Sequence, residues 1–382
     1  MTTVDRWLLP DGVEEVLPVP AAKVEQLRRA LLDLYDSWGY QLVIPPLVEF
    51  TESLLIGLGA DIEMLTFRVT DQLSGRNMGI RADITPQVAR IDAHSLAQPG
   101  ISRLCYAGSV LHTRPASLLA SRSPIKLGAE LYGDSSLQAD IEVISLMLET
   151  LKVAGIENCT LDLGHVGIYR KLLAACKLSE EQEQQVFDAL QRKSLPDLKD
   201  VLTELPPQQR QQILELASLH GGDSVLEQVS WADEAVAELR EVAAAIAMRF
   251  PQVKVYFDLC ELRGYNYHTG LVFAAYVSGH GQALANGGRY DDVGQVFGRA
   301  RPATGFNTDL KALLQLLSDS LAATPGNAIC APAQADDKLW QTMAQLRTAG
   351  ETVISSLSGE VDPRCDRQLV CRDGEWEIEH CS

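Results

Sequence analysis

Two arginines, each set among glycines inside a β-type apolar run, constrain this chain more than any other feature. One lies in Glu261–Phe273, ELRGYNYHTGLVF, and the other in Ala285–Val293, ANGGRYDDV. Glycine in a strand gives up packing and lets another backbone or a ligand come close. Arg263 and Arg289 are therefore expected at a ligand site in a sheet, as cations within reach of another molecule.

At 382 residues, 46% of them hydrophobic, the chain can bury one large core or two to three ordinary ones. Its longest apolar runs, such as Ala235–Met248, are interrupted by charge at Glu238, Arg240 and Glu241, and Met1–Pro10 lacks the basic and apolar regions of a signal peptide. No membrane partner and a cytoplasmic location are expected. Eight cysteines without a C-x-x-C pattern read as reduced thiols, and Cys365, Cys371 and Cys381 with His380 are spaced too widely for zinc, so no metal is expected. The net charge of −18 argues against a polyanion binder, so no nucleic-acid partner is expected, although an acidic protein can carry a local basic face.

Ala22–Trp38 sets Val24, Leu27, Leu31, Leu34, Tyr35 and Trp38 at three- and four-residue spacing, the stripe of an amphipathic helix, and Gly39 ends it. The β-rich run that follows is broken by Pro45 and Pro46, which confines it to an edge, a bulge or an interface. Phe67–Thr70 and Asn77–Arg81 read as strands, and Thr85 as the cap of a helix to about Ala97 with Pro86 at its first position. Ile101–Leu111 and Pro124–Tyr132 read as an antiparallel pair, Gln138–Val153 as a helix and Cys159–Gly164 as a strand. From about 178 to 250 the chain is rich in Gln, Glu, Leu and Ala, lacks alternation and is punctuated by Pro196, Pro206, Pro207 and Gly221-Gly222, so an inserted set of short helices is expected. Strands return at Val253–Asp258, and Thr308–Leu321 reads as a closing helix. Residues 326–382 read as a separate small α/β unit: strand Ala328–Ala331, helix Lys338–Arg347, strand Thr352–Ser356 and a hairpin turning at Asp373-Gly374. The first unit is expected to span 1–325 and the fold to be α+β.

RGYNYHTG resembles the pocket strand that histidyl-tRNA synthetases use for histidine, and GGRYD resembles their second signature. The helix before Gly39 with its Pro-containing strand resembles motif 1 of class II synthetases, the dimer-forming element, while Ile101–Tyr132 resembles motif 2 and Thr308–Leu321 motif 3. This implies a class II synthetase-like antiparallel sheet flanked by helices, and a histidine pocket. By the resemblance Glu130 holds one imidazole nitrogen, Arg263 meets the carboxylate, Tyr267 and His268 line the ring, and Asp83 and Thr85 take the ammonium group. Three positions depart from the family: Asp83 is a methylene shorter than its glutamate, Lys126 replaces a glutamine, and His268 replaces a tyrosine. A carboxylate and an aromatic hydroxyl or ring N–H aimed at opposite imidazole nitrogens would discriminate histidine, because a mismatched ligand leaves buried polar groups unpaired.

Synthetases of this class activate the amino acid by attack on ATP, and arginines clamp the phosphates. Where motif 2 of the family reads arginine, histidine, glutamate, arginine, proline, this chain reads Leu111-His112-Thr113-Arg114-Pro115. Where motif 3 ends in glycine, leucine, glutamate, arginine, it reads Asp309-Leu310-Lys311-Ala312. Leu111 and Ala312 thus stand in the places of both ATP arginines, and an alkyl group supplies none of the forked donors of a guanidinium. No catalytic residue is expected.

A histidine pocket without ATP arginines, followed by a tail shorter than a full anticodon-binding domain, resembles the regulatory subunits of ATP phosphoribosyltransferase over about Trp7–Leu321 and again in the tail. That resemblance implies a non-catalytic protein without a cofactor. Its implied partners are a short-form catalytic phosphoribosyltransferase subunit in a hetero-octamer, a second copy of itself through the synthetase-like core, and L-histidine as feedback effector of the first step of histidine biosynthesis. Two alternatives stay open: an active histidyl-tRNA synthetase, against which Leu111 and the short tail stand, and a histidine-binding paralogue with another partner.

Overall fold

Proline at the first turn and an uninterrupted apolar stripe start a 20-residue helix at Pro18–Ser37, which buries Val24, Leu27, Leu31 and Tyr35 and leaves Leu34 and Trp38 half-buried. A second long helix, Leu137–Val153, is apolar on nearly every side and is buried accordingly. Thr150 Oγ1 donates to the Tyr35 hydroxyl at 3.1 Å, tying the two together. The computed structural model describes residues 7–56, 60–115, 120–176, 178–192, 194–261, 267–317, 327–357 and 359–381, and the chain divides into two compact units, 1–317 and 318–382.

In the first unit the strands are β1 (Gln41–Leu42), β2 (Val48–Phe50), β3 (Phe67–Thr70), β4 (Asn77–Ile80), β5 (Ser102–Ser109), β6 (Ile125–Tyr132), β7 (Thr160–His165), β8 (His220–Gly221), β9 (Lys254–Asp258), β10 (Leu271–Tyr276), β11 (Ala285–Arg289) and β12 (Ala303–Asp309). Nine of them form one sheet in the order β1-β5-β6-β12-β11-β10-β7-β9-β8, while β2, β4 and β3 form a small second sheet. The centre, from β5 to β7, is antiparallel throughout, and β1 and β9 join it in parallel at either side. Tyr35 meets Phe306 of β12 edge-on at 6.1 Å between ring centroids, which fixes the first helix against one face of the sheet.

Several boundaries differ from the sequence reading, each for a local reason. Thr85 is the first helical residue rather than the cap; the Asp83 carboxylate takes the N–H groups of Ile84 and Thr85, at 2.6 and 3.4 Å. That helix, Thr85–Arg90, runs on as a π-helical turn over Ile91–Leu96 before Ala97 ends it at φ 46°. Thr308 belongs to β12, its hydroxyl spent on the Leu284 carbonyl at 2.7 Å, so the closing helix begins at Leu310, capped by Asp309; residues 318–321 of the expected helix lie outside the described ones. The region from 178 to 250 holds the helices Glu180–Gln191, Leu195–Val201, Pro207–Leu216 and Asp233–Arg249, and also β8, whose two residues are too few to show alternation.

Arg289 corrects a sequence expectation. It is not within reach of a ligand: its guanidinium donates to Asp140 Oδ2 at 2.7 and 3.0 Å and to the carbonyls of Asp134 and Ser136 at 3.2 Å. Successive strand residues face opposite ways, so the position after Gly288 points down onto the helix Leu137–Val153.

In the second unit β13 (Ala328–Pro332), β14 (Thr352–Ser356), β15 (Cys365–Arg372) and β16 (Glu375–His380) follow the order β14-β13-β15-β16. The β15–β16 hairpin turns at Asp373 and Gly374, both at positive φ, 50° and 83°. The helix Asp337–Thr348 packs Leu339 and Met343 onto Ile329, Ala331, Val353 and Leu369. Among the described residues no helix is long and apolar enough to cross a membrane.

Asp140→Ala strands the buried Arg289 charge, and loss of one partner of a buried pair costs about 3–5 kcal/mol. Urea unfolding of the variant and the wild type at one pH measures this loss; a difference below about 1 kcal/mol would show that the pair is not a structural anchor.

Candidate functional site

Strand alternation puts Lys126, Gly128, Glu130 and Tyr132 of β6 on one face of the sheet. Glu130 is fully buried there, and among the described residues its hydrogen-bond partners are three hydroxyls, with no guanidinium or ammonium. Thr85 Oγ1 reaches Oε1 at 2.8 Å, Tyr106 reaches the same oxygen at 3.2 Å, and Tyr290 makes a short bond to Oε2. The sheet makes room for this carboxyl at Gly305, its cross-strand partner in β12, where any Cβ would collide with Oε2. Burial pushes the Glu130 carboxyl up to about 8; the hydroxyl donors pull the other way, and Asp83 nearby adds to the rise.

Around this carboxyl the chain gathers most of the residues singled out from sequence. Thr85 is in direct contact, and Asp83, half-buried two residues before it, caps the helix with one oxygen. Tyr267 lies over Tyr290 with ring centroids 4.9 Å apart, and His268 stands edge-on to Tyr267 at 5.4 Å. The buried Tyr267 hydroxyl has no hydrogen-bond partner among the described residues, so a polar group within the pocket is left for a ligand to satisfy. The His268 ring rests on Gly288, where a Cβ would come within 2.6 Å of it. Lys126 sits further along β6, and its ammonium donates to Asn307 Oδ1 at 3.0 Å. Arg263 lies outside the described residues.

Sequence reasoning missed Tyr106 and Tyr290. Tyr290 was legible in principle, since it follows Arg289 in GGRYD and alternation returns it to the face that Arg289 leaves. Tyr106 was hidden in an apolar strand; only its pairing with Gly128, the small residue that admits its ring, marks it. Leu111 and Ala312 are both half-buried. Two cations near them are engaged by the N-terminal segment: Arg122 donates to the Asp11 carbonyl at 2.9 Å, and Lys311 to Glu14 at 3.2 Å.

Asp162, Asp258 and Glu261 bring carboxylate oxygens within 4.8 Å of one another, a donor set suited to a hard cation. Each already has a further partner. Asp162 and Glu261 also line, with His268, Phe273 and Asn286, a cleft of about 280 Å³.

Comparison with known proteins gives three findings. The Histidyl-tRNA synthetase family model matches residues 12–313, and the model described as ATP phosphoribosyltransferase subunit HisZ C-terminal domain matches residues 326–379. Proteins named ATP phosphoribosyltransferase regulatory subunit are 55% identical in Ectopseudomonas mendocina and 54% identical in Azotobacter vinelandii, over 391 aligned positions covering 99% of this chain and 99% of theirs. Among solved structures, an ATP phosphoribosyltransferase regulatory subunit/histidyl-tRNA synthetase from Bacillus halodurans superposes with a TM-score of 0.80 at 26% identity, covering 93% of this chain and 94% of that one. Histidyl-tRNA synthetase from Nostoc superposes with a TM-score of 0.74 at 19% identity, covering 98% and 97%, which shows the shared fold.

The Glu130 shift has a consequence for stability. The folded state keeps the proton up to about pH 8 while the unfolded chain loses it near 4.5, so unfolding releases a proton in that window and stability falls as pH rises through it. The ligand-free wild type is expected to lose up to about 1.4 kcal/mol per pH unit relative to Glu130→Gln between pH 5 and 8. Urea unfolding at four pH values measures it, and parallel curves would mean that the carboxyl is ionised throughout.

Proposed function

This chain belongs to the family of ATP phosphoribosyltransferase regulatory subunits, and from that premise we propose that the pocket around Glu130 binds L-histidine and carries feedback inhibition to the catalytic subunit. The chain is a regulatory rather than a catalytic subunit, and it acts in histidine biosynthesis with a catalytic partner subunit. One observation carries the histidine reading: a buried carboxyl held, among the described residues, by hydroxyls, near a buried phenol with no partner among them, suits a ligand with a nitrogen on each side of a flat ring. Asp83 and Thr85 stand where the ligand's ammonium group is taken, and Arg263, Lys126 and His268 complete the proposed pocket. No cofactor, metal, membrane or nucleic acid enters this reading, and its setting is the cytoplasm. The same reading includes a homodimer through the exposed apolar segment that follows the helix Pro18–Ser37, and hetero-octamers with a short-form catalytic subunit.

Histidine should raise the melting temperature of the isolated chain, since a ligand of the native state alone stabilises it by mass action, about 2.7 kcal/mol at a hundredfold excess over Kd. Glu130→Ala should abolish the shift. No shift at concentrations that inhibit the assembled enzyme would place the regulatory site elsewhere.

Mixed with a short catalytic phosphoribosyltransferase, the chain should form a larger complex more active than the catalytic subunit alone, and histidine should inhibit it. Glu130→Ala and Arg263→Ala complexes should assemble and stay active with inhibition weakened by about tenfold or more, the cost of about one charge-assisted contact. Size-exclusion chromatography and activity assays decide between the readings: undiminished inhibition would remove the pocket from regulation, and absence of a complex would favour another partner.

A further inference from the structure

A second buried charge lies at the outer end of the same short segment that enters the pocket. Arg81 is buried, and no carboxylate among the described residues takes a hydrogen bond from it. Its Nε donates to the Ser109 carbonyl at 2.9 Å, and its Nη1 to the Pro45 carbonyl at 2.8 Å, with longer contacts at 3.5 Å to the Pro46 carbonyl and Gln87 Oε1. Gln87 repeats the link, donating to the Pro46 carbonyl and to Glu49 Oε1, both at 2.8 Å. Gly108 faces the guanidinium and leaves no room for a side chain there.

These bonds join two places. At one end, Arg81 to Thr85 is five residues of continuous chain, whose last member donates its hydroxyl to Glu130. At the other end is the connection between β1 and β2, where Leu42, Ile44 and Leu47 are 48%, 83% and 48% exposed. Proline fixes φ, so Pro45-Pro46 moves as a stiff unit when its carbonyls are pulled, and a planar guanidinium held on two sides transmits a shift rather than absorbing it.

We infer that Arg81, backed by Gln87, is a positioning residue that couples occupancy of the Glu130 pocket to the conformation of the exposed segment 42–47. The inference rests on the histidine reading above. A ligand ammonium that donates to the Asp83 carboxylate and to Thr85 Oγ1 pulls on the segment 81–85, where Asp83 Oδ1 already accepts from the Ile84 and Thr85 N–H groups and Thr85 Oγ1 donates to Glu130. The movement reaches the Pro45 and Pro46 carbonyls through the side chains of Arg81 and Gln87, and coupling of this kind changes an equilibrium by the ratio of ligand affinities for its two states.

Amide hydrogen exchange of the full-length chain with and without saturating L-histidine tests this. In the wild type the peptide covering residues 40–50 should change its exchange by about fivefold or more, the lower end of ordinary coupling between sites, while β9 stays unchanged. Arg81→Lys keeps the charge and loses the fork; Gln87→Ala removes the second link and serves where the arginine variant fails to fold. In both, histidine should still raise the melting temperature, and the response at 40–50 should fall below about twofold. A full response in both variants, or none in a wild type that binds histidine, overturns the coupling and leaves the histidine pocket standing. No thermal shift in the wild type would sink the histidine reading, and this inference with it.

Discussion

The burial of Glu130 among hydroxyl donors, with no cation bonded to it among the described residues, is the constraint on which the rest of the site depends. Asp140 and Asp92 are also buried carboxylates, and each has an arginine within hydrogen-bond distance, Arg289 at 2.7 Å and Arg301 at 2.9 Å. Those pairs close on themselves and hold the sheet to its helices. Glu130 instead has three neutral donors among the described residues; they offset part of the desolvation cost, and burial still raises the carboxyl well above the ordinary carboxylate range. Glycines at 128 and 305 follow from this arrangement: one admits the Tyr106 ring and the other the carboxyl itself.

What the sequence showed and what it hid follow from how far each interaction reaches along the chain. The stripe of the first helix, the hairpin at Asp373-Gly374 and most strand positions are written in spacing over a few residues, so they were legible. The alternation that buries Arg289 was equally local, yet a glycine-rich strand suggests approach from either face, and only the packing of the helix Leu137–Val153 decides which face is open. Of the site, Asp83, Thr85, Lys126, Glu130, Tyr267 and His268 were named through a family pattern, because residues as distant as 85 and 130 meet only in the fold. Tyr106 had no such pattern, and the two-residue β8 and the π turn at Ile91–Leu96 carry no periodic signal at all.

Binding and chemistry occupy different parts of a synthetase-like site, and the reading proposed above has this chain separate them. The end proposed to bind the ring keeps Glu130 and its aromatic lining, while Leu111 and Ala312 stand where the resemblance puts the phosphate arginines. Beside these positions, Lys311 and Arg122 fasten the N-terminal segment through Glu14 and the Asp11 carbonyl.

A pocket that binds without reacting can influence a partner only if its ligand prefers one conformation of the protein over another. On the histidine reading proposed above, a ligand that meets both the Tyr267 phenol, which has no partner among the described residues, and the buried Glu130 carboxyl gains at both places. The gain is available only where Thr85, Tyr106 and Tyr290 still converge on one carboxyl from the helix Thr85–Arg90, from β5 and from the residue after β11. A conformation that separates those elements loses the convergence and with it the ligand. On that proposed reading, histidine affinity and the relative placement of three chain segments are one quantity, and regulation would work through it.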